Sequence, residues 1–167
     1  MKTNVSTKGT WEARCFDKNG ELKWLDNWEN LVVNEGLDYA LDVALAGGTQ
    51  ITTWYVSLTS DTPVPNATHT MASHTGWTEV TAYSEATRPE WVSGTVLDQS
   101  VDNAGVSAKF TGDTDGTTVG GAILVAESTK GGTTDILFSV GAFEKGNKPL
   151  DEGDTLEVTA KYSNTST

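Results

Sequence analysis

The stretch TVGGAILVAESTKGGTTDILFSVGAF, residues 118–143, decides the fold. Its first part, TVGGAILVAES (118–128), is nearly all apolar, as a central strand covered on both faces must be. TKGGTT (129–134) turns the chain, and DILFSVGAF (135–143) answers as a hairpin partner. The same grammar extends outward in both directions. TLEVTAKYS (155–163) alternates, with Leu156, Val158, Ala160 and Tyr162 on one face. VSAKF (106–110) places Val106, Ala108 and Phe110 inward, and TWEARCF (10–16) does so with Trp11, Ala13 and Cys15. DKNGE (17–21) is a hairpin turn in which Asn19-Gly20 supplies the positive φ values of a tight reversal. LKWLDNWENLVV (22–33) then reads as strand, loop and strand, ITTWYVSL (51–58) as a strand, and EWVSGTV (90–96) as extended chain.

Strands recurring at a spacing of about 10 residues, with turn signals between them, predict a mainly β domain of β-sandwich or jelly-roll type. The chain of 167 residues is long enough to bury one core without staples. One helix interrupts the pattern. NEGLDYALDVALAGG (34–48) offers Asn34 as N-cap, acidic residues in the first turn and Gly47-Gly48 as the stop, giving a helix over about 34–46. Leu37, Ala40, Leu41, Ala44 and Leu45 form one apolar stripe, and the helix is expected to lie over an end or edge of the sheets. Residues 1–9 read as a polar N-terminal arm, and residues 10–167 as the domain. Within the domain, residues 59–89 form a long loop rich in Thr, Ser, Ala and Pro, a length that is usually functional.

Composition removes several classes of function. Eleven basic residues are scattered among 23 acidic ones, for a net charge of −12, so nucleic-acid binding is not expected. The same charge disfavours adsorption to anionic membranes, and no run approaches the length of a membrane span. Cys15 is the only cysteine, which rules out an intrachain disulfide and a zinc site built on several thiolates. The opening MKTNVSTKGTWEARCF has no apolar core of a secretory signal, predicting a chain made in a cytoplasm and soluble there.

HTMASHTGWTE (69–79) gathers both histidines, Met71, Trp77 and Glu79. Zinc catalysis commonly places two His at i, i+4 on a helix with a third ligand, whereas His69 and His74 are five apart in a loop. GDTDGTT (112–118) lacks the first acidic ligand and the flanking helices of an EF-hand, and reads with PLDEGDT (149–155) as a turn whose carboxylates bond nearby amides. No nucleophile motif or phosphate-binding glycine loop is present, and carboxylate pairs are too frequent among 23 acids to identify a glycosidase. No catalytic residue, cofactor or metal is therefore expected. Trp11, Trp24, Trp54 and Trp91 lie in strand-like segments and read as core, while Trp28 and Trp77 lie in loops, as anchors or subunit contacts. The residues expected at an interface are Trp28, His69, Met71, His74, Trp77 and Trp91, the last also read as core.

RCFDKNGELKW, NLVVNEGLDYALD, WYVSL, TMASHTGWTEVTAYSEATRPEW, STKGGTTDILFSVGAF and GDTLEVTAKYS resemble, in that order, a family of small structural proteins of tailed bacteriophages. The resemblance runs from Trp11 to Ser163. It is nearest to the head decoration, or cement, proteins, β-sandwiches that sit on the capsid exterior as dimers or trimers and clamp capsid subunits. It implies a virion protein on the capsid exterior, assembled in the host cytoplasm. Its partners would be the major capsid protein and itself, as a homodimer or homotrimer, with no enzymatic activity. A tail or fibre component touching host glycan, and a carboxylate-based glycan hydrolase, are the alternatives. On this reading Trp77→Ala weakens association and leaves the fold intact.

Overall fold

The computed structural model describes residues 5–166. It is mainly β with one short helix, an antiparallel sheet curled into a sandwich-like half-barrel. The frame is built by β1 (Val5–Phe16), β2 (Leu22–Val32) and β12 (Thr155–Ser166) on one side. β3 (Trp54–Thr59), β9 (Gly121–Val125) and β10 (Leu137–Ala142) form the other side. The strand order is β4-β3-β9-β10-β2-β1-β12-β6, where β4 is Glu79–Val80 and β6 is Ser100–Asp102. Two short strands pair off this path, β5 (Glu90–Trp91) on β3 and β7 (Ala108–Thr111) on β12. β8 (Thr117–Val119) and β11 (Lys148–Leu150) make a separate pair.

The hairpin from which the fold was read is present, with Val140 opposite Ile123 and Gly141 opposite Ala122. All five residues of β9 are buried, and the reason is period two. Ala122 and Leu124 pack into the main core with Trp11, Val56, Leu58, Phe110 and Val158. Ile123 and Val125 point the other way, into a second cluster with Val33, Leu137, Val140, Met71 and Trp77. Across the main core the Trp91 indole donates to the Ala160 carbonyl at 3.3 Å, tying β5 on one side of the curl to β12 on the other.

Several local readings change. Residues 22–32 are one continuous strand, because its register with β1 runs unbroken from Trp24 to Asn30, so Trp28 is a buried strand residue facing Trp11 and not a loop anchor. Val106 lies in a turn and is 54% exposed, whereas Ala108 and Phe110 point inward as read. Residues 5–9 of the expected arm are strand, paired with Tyr162–Ser166 of β12; residues 1–4 lie outside the described residues.

The helix α1 (Asn34–Leu41) continues as a π-helical turn (Asp42–Ala46) and stops at Gly47, whose φ of 80° lets the chain leave in the left-handed region. Its cap is Val33 and not Asn34, and no side chain caps it. The stripe does not cover the sheet. Gly36 docks the helix instead: a Cβ there would stand 2.4 Å from the Phe138 carbonyl oxygen, so only glycine allows this approach of helix to strand backbone. Tyr39, one turn on, stacks edge-on against Trp54 at 5.3 Å and accepts the Ile51 amide at 2.6 Å. With Gly36 and Tyr39 turned inward, Leu37, Leu41 and Leu45 face solvent at 39, 59 and 83% exposure.

Candidate interaction surface

The long loop leaves β3 at Thr59 and returns along the same strand. β4 pairs Val80 with Leu58, and β5 pairs Trp91 with Trp54. A buried ion pair locks the return. Arg88 Nε donates to Glu79 Oε1 at 2.8 Å and Nη2 to Oε2 at 2.7 Å, a two-pronged contact. Nη1 and Nη2 also donate to the carbonyls of Glu127 and Gly132, each at 2.9 Å. Glu79 accepts in addition from Ser57 Oγ and the Gly131 amide. Four of the five guanidinium N–H groups and both Glu79 carboxylate oxygens are bonded within the chain, so the cluster clamps the loop. Lys130 sits 3.9 Å over the Tyr83 ring beside it, and burial pushes the Tyr83 phenol up.

This geometry relocates the predicted interface residues. Trp28, His69, Met71, Trp77 and Trp91 are all buried within the chain, and His74 is half-buried. His74 stacks face to face on Trp77, with ring centroids 3.6 Å apart. Burial, with His69 near, holds the His74 imidazole below its ordinary value. Met71 and Trp77 cover the outer side of β9 and β10. The loop is thus the chain's own second cover layer, and its large side chains are spent on the fold. Among the described residues no three His, Cys, Asp or Glu side chains gather as a metal-binding set.

The carboxylates of the turns are used as the sequence suggests. Asp151 accepts the Gly116 amide at 3.0 Å, and Asp115 accepts the Glu152 amide at 3.1 Å. Lys23 bridges Asp151 and Asp154 at 2.9 and 2.5 Å. Cys15 is fully buried in the main core, and that burial, with Asp154 adjacent, pushes its thiol up to about 12. A groove of about 550 Å³ crosses β2, β1 and β12, with Glu12, Glu29, Asp102 and Glu144 on its walls. Trp11 and Trp28 reach it only by their backbone side, since both rings are buried in the core and the Trp28 indole nitrogen faces Gly141. The groove therefore offers no aromatic platform to a sugar.

What remains open to a partner is apolar and elsewhere. Leu37, Leu41 and Leu45 line the outer side of the helix, and Val5, Leu31 and Val96 are exposed on the adjoining sheet end. Sequence reasoning found the stripe and placed the helix over an end or edge of the sheets, but periodicity marks an apolar face without saying what covers it. No family model, curated protein or solved structure matches the chain.

Proposed function

We propose that the chain is a structural protein of a tailed-phage virion, a decoration protein that binds the outer capsid surface, with the major capsid protein and further copies of itself as partners. The observation that carries this reading is the uncovered leucine stripe of α1 on an otherwise acidic body. Contiguous exposed apolar side chains rimmed by polar ones mark protein-binding surfaces, and Leu41 and Leu45, at the far end of the helix, are the most exposed of the three. The charge of −12 keeps the chain off packaged nucleic acid and off anionic lipid. The sequence resemblance to head proteins supports the choice of partner.

The activity is mechanical. A ligand that binds only the assembled lattice stabilises that lattice by mass action. Attachment through two or three copies turns a modest single-site affinity into tight holding. The full-length protein, mixed with heads that lack it and pelleted, is expected to sediment with them. Leu41→Glu, at a solvent-facing position, is expected to weaken that binding at least about tenfold by placing a charge in a dry contact. No co-sedimentation of the native chain, or equal binding by the variant, contradicts the proposal.

A further inference from the structure

β1 and β2 separate at Gly9 and Asn30. β2 runs on through Leu31 and Val32 to pair with β10, while Val5–Lys8 of β1 continues with β12 as its only ladder partner among the described residues. The other edge of Val5–Lys8 therefore has no neighbouring strand among the described residues. An edge of unpaired backbone donors and acceptors is a template for another strand, which gains main-chain hydrogen bonds there and seats alternate side chains in flanking pockets. Here a cleft of about 390 Å³ runs beside the edge, walled by Leu31, Val32 and Leu37. A second groove of about 340 Å³ shares Thr7 and Leu37 with it and continues over Val96, Val101 and Phe138. Val5, Val96 and Leu37 are 71, 67 and 39% exposed.

Charge selects the place where a second copy of this chain can dock. Among the described residues the only charged ones on these two grooves are Lys8 and Glu29, and they pair with each other. Three other grooves are strongly acidic. One is lined by Glu35, Asp38 and Asp42, one sets five carboxylates against two lysines, and one sets four against a single lysine. A second copy of a chain carrying −12 is repelled from such surfaces and can settle only where the charge cancels locally.

We infer that Val5–Lys8 is a self-association edge: two copies pair it antiparallel about a twofold axis, joining β12, β1 and their counterparts into one sheet and sealing the apolar grooves on both sides. Such a contact is isologous, so it closes both free edges at once and gives a dimer and not an open chain. The inference rests on the self-association in the proposed function, but it uses the Val5–Leu37 end of the surface and leaves Leu41 and Leu45 free for the capsid.

Sedimentation equilibrium on the full chain tests it without any particle. At about 50 μM the native protein is expected to weigh twice the 17.8 kDa monomer, an affinity in the micromolar range or tighter. Val5→Lys and Leu37→Lys, both at exposed positions, are expected to weaken the dimer at least about tenfold with the far-ultraviolet circular dichroism unchanged. Hydrogen exchange is expected to show amides of residues 5–8 protected in the native dimer and released in the variants. A native monomer, a trimer, or a dimer that both variants leave intact overturns the twofold contact. A monomer that still pellets with heads removes this contact alone, whereas a dimer that does not pellet removes the capsid reading alone.

Discussion

Replacing Arg88 with alanine is expected to cost the fold about 3–5 kcal/mol, because it strands a buried carboxylate. The Arg88 side chain is 0% exposed and that of Glu79 8%, so water does not repair the loss. Both Glu79 oxygens lose a donor, and the carbonyls of Glu127 and Gly132 lose theirs. The loop return, β4 and the turn after β9 are all tied through this one side chain. Urea unfolding followed by tryptophan fluorescence measures the cost. A double change, Arg88→Met with Glu79→Gln, is expected to be milder than Arg88→Ala alone, since it leaves no unpaired charge behind. A loss below about 1 kcal/mol for the single variant, the scale of an exposed pair, contradicts the clamp.

Trp77→Ala is expected to cost about 3–5 kcal/mol as well, and for a different reason: it empties the second core. Trp77 is 4% exposed, lies against the outer faces of β9 and β10, and carries the stacked His74 ring. The sequence suggests the reverse outcome, an intact fold with impaired association. The two are separated by thermal melting with hydrogen exchange at Ile123, Val125 and Val140. A lowered melting point and faster exchange are expected at those amides. A native melting curve combined with lost particle binding would return Trp77 to the interface.

The strands were legible because their period-two patterns are local and the core is satisfied by them. β9 and β12 follow from alternation and apolar runs alone, down to the faces of Leu156, Val158, Ala160 and Tyr162. What stayed hidden depends on which surfaces meet. Trp28 sits among Asp, Asn and Glu residues that suggest a loop, yet β1 pairs along the whole segment and carries it as strand. The helix stripe was legible as apolar, but which side of α1 meets the sheet was not, since a single glycine, Gly36, decides which side docks. The loop residues His69, Met71 and Trp77 were singled out for their chemistry; all three are buried, and Met71 and Trp77 turn inward because the outer face of β9 needs a cover. Arg88 and the edge at Val5–Lys8 carry no periodic signal; each becomes visible only when distant segments are brought together.

The measurement that tests the functional account most directly is the copy number of this protein in purified virions, relative to the major capsid protein. The account predicts a simple whole-number ratio to that protein, as a lattice-bound decoration protein requires. A handful of copies per particle would place the chain in the tail or fibres, and its absence from virions would contradict the account outright.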